Sequence, residues 1–375
     1  MPILNLKMDN ILSFNEFEIN FSYPQKLNHS LVKNEFLSQF PSFRYKKINI
    51  FIGSNASGKT SLIQCIWKIL LFLRRKERII IEDLIHIPSK EANIELDFAD
   101  NHFLYRIKVK TTNTDSHLNI MASYNAIKLT KRSSYERLSK GLDSLEYNFK
   151  DYLEVLNNLD INLGWMVVLP ATEIIFDKIT CLKLNKKEEN DFINILNRVL
   201  HTLDASISSV VKSRDTDDAY VITHDEIGKI IIQDGMSLKD LDKLSSGTKY
   251  GFNIAKIIFS IKNKKNGIYL IDEQFSYVNS NIEKAFISLM VSLLGNDEQI
   301  FITTHNPEVL DLKLPFHSYN FIKKEKIDET SFITTNCASE FENRNNVSAK
   351  TILDNDVFNI NPDIIPILEI GENYE

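Results

Sequence analysis

Glycine, cysteine and long apolar segments are all scarce in this sequence of 375 residues, and each shortage excludes a class of protein. Only 11 residues are glycine, against an average usage of about 7%, so a glycine-containing loop motif carries unusual weight. The three cysteines, Cys65, Cys181 and Cys337, match no disulfide or metal-ligand spacing, which predicts buried thiols in a reducing compartment. No apolar run approaches the length that spans a bilayer, and the first ten residues lack the layout of a signal peptide. We therefore expect a cytoplasmic protein without a membrane segment.

Positive charge is not in excess either. The chain has 44 basic and 50 acidic residues, which gives a net charge of −6 at pH 7. This balance argues against a uniformly basic nucleic-acid-binding protein, although it is compatible with a local basic patch. The hydrophobic content of 43% is sufficient for the core of one large domain or two moderate ones.

Residues 48–61 are the segment around which the rest of the chain is organised. The apolar run INIFI at 48–52 is typical of a buried parallel strand, and apolar residues at helical spacing follow from Leu62 to Leu73. Between them, GSNASGKT fits G-x-x-x-x-G-K-[ST] at every fixed position. A strand before this motif and a helix after it distinguish a phosphate-binding loop from a chance match. The sequence therefore predicts binding of a nucleoside triphosphate.

The residue types of this loop suit the binding of phosphates. Glycines let the backbone approach an anion, and amide N–H groups at the start of the helix surround the phosphates. Lys59 adds positive charge near the β- and γ-phosphates, and the Thr60 hydroxyl can bind Mg²⁺. The predicted nucleotide-binding residues of the loop are Gly53, Ser54, Asn55, Ala56, Ser57, Gly58, Lys59, Thr60 and Ser61.

Two carboxylates end a later apolar run, IYLIDE at 268–273. Adjacent acids at the tip of a buried strand are costly unless they bind a cation or take part in chemistry. We expect Asp272 to bind Mg²⁺ together with Thr60, and Glu273 to polarise the attacking water.

Two further motifs flank this strand. LSSGTK at 244–249 opens a predicted helix and by itself is typical of an N-cap. QIFITTHNP at 299–307 is another apolar strand that ends in His305. A lone histidine at a strand end is usually structural, but its position directly after the carboxylate strand favours a catalytic role.

In this order, GSNASGKTS, LSSGTK, IYLIDE and TTHNP resemble the motifs of ABC-type ATPase heads. Within these heads the sequence is most similar to the overcoming-lysogenization-defect (OLD) group and its stand-alone relatives, often described as AAA-family ATPases. The resemblance covers about residues 1–320, and the four motifs are its specific part. It implies an ATPase with ATP and Mg²⁺ as cofactors, and a head that dimerises head to tail with ATP between the two subunits.

The resemblance also implies roles for individual residues. Ser245 and Gly247 would face the γ-phosphate bound by the opposing subunit, and the helix that they begin would add a favourable dipole. Ser246 lies between them and completes the predicted nucleotide-binding set. His305 matches the switch histidine that senses or positions the γ-phosphate, so Glu273 and His305 are the predicted catalytic residues.

The sequence departs from the family pattern at three places. Gln274 stands where proline usually follows the catalytic acid, and Asn279 stands where aspartate or histidine is commoner in the loop at 276–280 that would cross the dimer interface. The glutamine of the usual lid has no clear counterpart, although LPATE at 169–173 is similar to that region. These departures bear on interface detail and hydrolysis rate.

The fold class that we predict is α/β: a two-lobed P-loop head with a mixed central sheet, flanking helices, an antiparallel β lobe and a helical insertion. Residues 1–130 would form the ATP-binding lobe, and 23–47 within them an exposed insertion. The stretches 131–158 and 186–212 read as helical around a central strand near 165–169, so 131–216 would be the insertion. Residues 217–324 would carry the signature motif, the carboxylate strand and the switch histidine, and 325–375 a C-terminal extension.

The leading functional hypothesis is an ATP-dependent switch that forms a homodimer or higher homo-oligomer and controls a separate effector in anti-phage defence. The alternative is a RecF-like DNA clamp, which requires a basic stripe that only 74–78, 131–132 and 262–265 could supply. A transporter motor would need a membrane partner.

OLD nucleases carry a Toprim nuclease domain after the head, and this chain shows no sequence for one. The last core strand is expected at 317–324, and the D-x-D at 354–356 reads as a turn. Too little sequence surrounds this D-x-D for a metal-dependent nuclease, and residues 364–370 resemble only the opening strand of a Toprim domain. We therefore expect no nuclease activity in this chain.

Overall fold

The computed structural model describes residues 1–26, 30–114, 117–162, 164–170, 175–176, 184–213, 219–233, 236–239, 244–327, 330–341, 348–355 and 365–372. The strands, numbered in chain order, are β1 Ile3–Asp9, β2 Phe17–Asn20, β3 Phe36–Leu37, β4 Phe40–Arg44, β5 Ile48–Ile52, β6 Ala92–Asp100, β7 Phe103–Thr114, β8 His117–Lys128, β9 Lys150–Asp151, β10 Trp165–Val168, β11 Ile175–Phe176, β12 Ile207–Lys212, β13 Ala219–His224, β14 Gly228–Gln233, β15 Met236–Lys239, β16 Ile268–Asp272, β17 Gln299–Thr304, β18 Tyr319–Ile327 and β19 Thr330–Cys337. The α-helices are α1 Lys59–Arg75, α2 Arg78–Glu82, α3 Tyr135–Asp143, α4 Tyr152–Asn157, α5 Lys186–Leu203, α6 Ser246–Lys262, α7 Ser280–Leu293, α8 Ala338–Phe341, α9 Ala349–Asp354 and α10 Ile365–Glu372.

The central sheet has seven strands in the order β11-β10-β16-β17-β5-β18-β19. Its five inner strands run parallel, and the two edge strands are antiparallel to their neighbours. Every residue of β5 is buried, because parallel strands of this kind are covered on both faces. Ile50 belongs to a core with α5, α6 and α7, whereas Phe51 belongs to a second core with α1.

A six-stranded antiparallel sheet, in the order β2-β1-β6-β7-β8-β9, covers α1 from the other side. The buried side chain of Gln299 joins this sheet to the central one. Its Oε1 accepts from the Ile3 backbone N–H at 2.8 Å, and its Nε2 donates to the Ile3 carbonyl at 3.1 Å. Helix α1 is thereby held between two sheets, with its first residue at the end of the phosphate loop.

A four-stranded antiparallel sheet, β12-β13-β14-β15, packs against α5 and α6. Residues 131–216 supply α3, α4 and α5, and they also supply strands to three of the sheets. The division of the chain into lobes at 130, 216 and 324 stays a prediction.

Four local predictions differ from the structure. Residues 23–47 are not simply an exposed insertion, because they contain the β3–β4 hairpin and the fully buried side chains of Phe43 and Tyr45. The helix predicted over 186–212 ends at Leu203, and β12 follows it. The chain continues after the predicted last core strand with β19, and residues 365–372 form a helix rather than a strand.

Some predictions fall on residues that the structure covers only in part. Cys65 and Cys337 are buried thiols, while Cys181 and the lid-like residues 171–173 lie outside the described residues. Asp356 of the D-x-D also lies outside them. Among the helices that the structure describes, none has the length and apolar character needed to cross a membrane.

Candidate active site

The predicted site residues other than those at 245–247 follow three neighbouring parallel strands at the same edge of the central sheet. The phosphate loop follows β5, the two carboxylates end β16, and His305 follows β17. Since β16, β17 and β5 are adjacent and parallel, their carboxyl ends meet, and this edge is where ligands bind in open α/β sheets.

The phosphate loop depends on its two glycines for different reasons. Gly58 has φ +103°, a left-handed conformation that glycine adopts at little cost, and it precedes the first residue of α1. A Cβ on Gly53 would lie 2.3 Å from the carbonyl oxygen of Ile322 and 2.7 Å from Ser57 Oγ. Helix α1 has no acidic residue in its first turn and no side-chain cap, so its N-terminal N–H groups are available to an anion.

Lys59 brings its charge to the mouth of this loop although its side chain is only 3% exposed. Its Nζ donates to the carbonyl oxygens of Gly53 and Ser54, both at 2.9 Å. The same ammonium lies 3.4 Å from Glu273 Oε1. The structure therefore brings the predicted phosphate-binding cation and the predicted catalytic base into direct contact.

Asp272 is fully buried, and only one of its two carboxylate oxygens has a hydrogen-bond partner among the described residues. Oδ1 accepts from the Thr303 hydroxyl, whereas the buried Oδ2 has no hydrogen bond. Burial raises the pKa of the Asp272 carboxyl, and the hydroxyls of Thr303 and Thr60 oppose this effect. Mg²⁺ prefers oxygen ligands, so an unpartnered buried carboxylate oxygen near Thr60 fits that cation.

Glu273 adopts an unusual backbone conformation, with φ +44°. For a residue other than glycine this conformation costs energy, and such residues cluster at functional sites. Its backbone N–H donates to both the carbonyl oxygen and the hydroxyl of Thr303, at 3.2 and 3.1 Å. Thr303 thus fixes both acidic residues: it binds the side chain of Asp272 and the backbone N–H of Glu273.

A cavity of about 580 Å³ opens at this edge of the sheet, a size typical of small-ligand sites. It is lined by the loop residues 55–61 and by Ser13, Glu273, Lys324 and Ile333. Ser13, Lys324 and Ile333 belong to no sequence motif, so their place in the cavity could not be predicted from the sequence. The pairing of β18 with β19 brings Lys324 and Ile333 to the cavity. Sequence spacing does not indicate this pairing.

The signature motif at 245–247 is not among the described residues that line this cavity. Ser245 caps α6, since its Oγ accepts from the Thr248 backbone N–H at 3.1 Å. Ser246 is the first residue of that helix. A Cβ on Gly247 would lie 2.9 Å from the carbonyl oxygen of Tyr277, so glycine is needed where the helix meets the loop at 276–280.

His305 is exposed at the carboxyl end of β17, and both of its neighbours are fixed by one carboxylate. Glu283 of α7 is 1% exposed and accepts from the Thr304 hydroxyl at 2.9 Å and from the Asn306 amide at 2.6 Å. Burial raises the pKa of Glu283, and these two hydrogen bonds oppose the change. The backbone around His305 is therefore held in place while its ring faces solvent.

Gln274, at the position where proline is usual in similar heads, connects three elements. Its Nε2 donates to the carbonyl oxygens of Leu169, just after β10, and of Asp272, both at 3.1 Å. Its Oε1 accepts from Asn253 of α6 at 3.4 Å. The side chain is fully buried, so the signature helix and the carboxylate strand are joined through it.

We expect Gln274→Leu to lower the free energy of unfolding by about 1–3 kcal/mol, because it removes donors from buried carbonyl groups. Urea denaturation followed by circular dichroism measures this change. The control is Gln39→Leu, the same substitution at an exposed glutamine, which should stay within about 0.5 kcal/mol of the parent. Equal stability of the two variants would show that the Gln274 contacts contribute nothing.

The chain is similar to known proteins in its sequence and in its fold. Residues 48–311 match the model of a family described as AAA domain, putative AbiEii toxin, Type IV TA system. A search of curated proteins found no match.

Among solved structures, an SmcHead bound to the C-winged helix domain of ScpA is similar to this chain, with 16% identity and a TM-score of 0.52 over 91% of this chain and 100% of the other. This likeness confirms the predicted fold class, a mixed α/β head with two lobes. An SMC head domain from Thermotoga maritima gives 15% identity, a TM-score of 0.43 and coverage of 89% and 98%. A third similar structure is the Smc head domain from Pyrococcus furiosus, with an extended coiled coil and bound to the C-terminal domain of ScpA. Its identity is 14% and its TM-score 0.44, and the match covers 94% of this chain and 98% of the other.

Proposed function

The chain belongs to the AAA_21 family of AAA domains, and from this premise we propose that it is an ATP-hydrolysing head that dimerises around ATP and controls a separate effector protein. One observation carries the proposal: Lys59 of the phosphate loop contacts Glu273, the residue after the buried Asp272, beside a cavity of suitable size. Binding and hydrolysis of a nucleoside triphosphate require three groups in one place: a cation that binds the phosphates, a carboxylate that binds the metal ion, and a base.

In this proposal the chain's own residues perform three tasks. The N–H groups at the start of α1 and the Lys59 ammonium bind the phosphates. Asp272 and Thr60 would hold a Mg²⁺ ion, which would supply positive charge to neutralise the phosphates. Glu273 orients the attacking water and accepts its proton.

The signature motif supports a dimer, because Ser245 is accessible and neither Ser245 nor Gly247 lines the cavity of its own subunit. Ser245 is exposed, and the nearby Tyr277 is 65% exposed although its ring stacks on Tyr250 at 5.6 Å. An exposed aromatic side chain such as that of Tyr277 is typical of protein interfaces. We propose that the partner's Ser245 and Gly247 complete the γ-phosphate site and that His305 responds to the γ-phosphate.

The finer assignment is to stand-alone OLD-like heads, with an effector in anti-phage defence. The family description, which includes a putative toxin of a Type IV TA system, supports control of a harmful effector. The DNA clamp is less favoured, because the ammonium groups of Lys262 and Lys265 form ion pairs with Asp191 and Glu188.

We expect ATP with Mg²⁺ to double the mass of the Glu273→Gln variant in light scattering, because slowed hydrolysis preserves the closed dimer. Adding Ser245→Arg to that variant should leave ATP bound to each protomer but keep the mass at that of a monomer. A mass that ATP leaves unchanged, or an association that Ser245→Arg does not affect, would contradict the ATP-sandwiched dimer.

A further inference from the structure

The β18–β19 hairpin crosses the phosphate loop and places two opposed residues on it. Lys324 and Ile333 are direct partners in the antiparallel register, so their side chains lie on the same face of the hairpin. Ile333 is 2% exposed, and its Cδ1 lies 2.5 Å from the position that a Cβ on Gly58 would occupy. This face of the hairpin therefore packs directly on the loop that precedes α1.

Lys324 is exposed on the same face and lines the cavity of the phosphate loop. Its chain neighbours point the other way, and Lys323 and Glu325 form an ion pair with each other at 2.6 Å. Among the described residues, no salt bridge includes Lys324. The lysine thus presents its charge to the cavity without an anionic partner.

The charges around the cavity indicate why a second lysine such as Lys324 is useful there. Lys59, the cation predicted by the motif, lies 3.4 Å from the carboxylate of Glu273, so part of its charge is already compensated. A nucleotide brings several negative charges into the same space. Lys324 is a second cation on a separate element, and it is available to compensate them.

The position of Lys324 is fixed from two sides. Ile333 anchors the hairpin to the loop, and Asn15 Nδ2 donates to the Ser331 carbonyl at 3.0 Å. The second contact ties the start of β19 to the β1–β2 connection, which contributes Ser13 to the cavity wall. The hairpin is thus held at the rim by packing and by a hydrogen bond.

We propose that Lys324 is a nucleotide-binding residue whose ammonium contacts the phosphate chain, with the β18–β19 hairpin as a wall of the site. This inference rests on the proposed function, since it assumes that the cavity binds a nucleotide. It assigns a binding role to a part of the chain that lies outside the four sequence motifs.

Isothermal titration calorimetry of the full chain with ADP and with a non-hydrolysable ATP analogue tests the proposal. Lys324→Ala should weaken binding about 10-fold, the effect of losing one charge-assisted contact. Lys324→Glu should weaken it roughly 100-fold, because it replaces attraction by repulsion, and Lys324→Arg should remain within about 3-fold of the parent. Lys323→Ala is the matched control: it removes the same charge one residue away, on the opposite face, and should change binding less than 2-fold.

The outcomes separate this inference from the proposed function. If Lys59→Ala abolishes binding while Lys324→Ala binds as well as Lys323→Ala, the role of Lys324 is refuted and the nucleotide site stands. If the parent protein binds neither nucleotide, the proposed function itself is wrong. A loss for Lys324→Glu without a loss for Lys324→Ala would also refute a direct contact.

Discussion

Replacing Glu273 by glutamine is expected to lower the rate of ATP hydrolysis by about 10²–10⁴-fold, the usual cost of losing a general base. The substitution keeps the shape of the side chain and removes the charge that accepts a proton from water. Nucleotide affinity should be at least that of the parent, because the carboxylate 3.4 Å from Lys59 no longer competes with phosphate for that ammonium. Phosphate release measures the rate, and calorimetry measures the affinity.

The control for this experiment is Glu226→Gln, the same change at an exposed residue of the turn between β13 and β14. It should hydrolyse ATP at the parental rate. A Glu273→Gln protein with close to normal turnover would mean that another group acts as the base. A protein that lost turnover and affinity together would assign Glu273 to binding rather than to proton transfer.

Replacing Lys59 by alanine should instead abolish nucleotide binding, with a loss of affinity of roughly 100-fold or more. The ammonium is the main point charge of the phosphate loop, and charge-assisted hydrogen bonds to phosphate are among the strongest in proteins. The change also leaves the Glu273 carboxylate uncompensated at the mouth of the loop, where it would repel the phosphates. Turnover falls in this variant because ATP no longer binds.

Lys68→Ala is the matched control for the Lys59 experiment, because Lys68 belongs to the same helix and its side chain pairs with Asp83 at 3.3 Å on the surface. Equilibrium binding of a fluorescent ATP analogue should distinguish the two alanine variants by about two orders of magnitude. Equal affinity in both would show that the loop does not bind phosphate through Lys59.

The central elements of the fold could be predicted from the sequence where the local pattern of apolar residues agrees with the burial of the element in the fold. The apolar run of β5, the loop motif and the helical spacing of α1 are adjacent in the chain, so one short segment contains all the information. The same holds for β16 and β17, which are buried on both faces and appear as continuous apolar runs. The meeting of Asp272 with Thr60 follows from parallel neighbours whose ends share one edge.

The strand β12 was misread as helix for an identifiable reason. Its pairing with β13 shifts register between Ile207 and Ser209, and such a bulge interrupts the alternation of buried and exposed residues. The buried residues Ile207 and Val210 are consequently three apart, the spacing of a helix face. Sequence periodicity alone does not reveal that change of phase.

Residues 23–47 were misread because their burial depends on distant partners. Polar residues and two prolines dominate the segment, yet Glu35 is 2% exposed and lies 2.7 Å from the fully buried His317. Tyr45 is buried as well, and its hydroxyl donates to the Glu298 carbonyl at 3.2 Å. Polar groups can be buried when they are paired, and no local pattern indicates a partner that is 282 residues away in the chain.

The order of strands in the central sheet has a consequence for synthesis of the chain. Strand β5 and its loop are made well before β17 and β18, the two neighbours of β5 in the sheet. Both edges of β5 therefore stay unpaired during synthesis until β17 and β18 have been made. Such non-local pairing slows folding and exposes strand edges to aggregation. Because the Ile3–Gln299 contact also spans 296 residues, a functional phosphate loop requires that the chain has been made and folded as far as β18. ATP would then act as a ligand that selectively stabilises molecules in which the central sheet is complete.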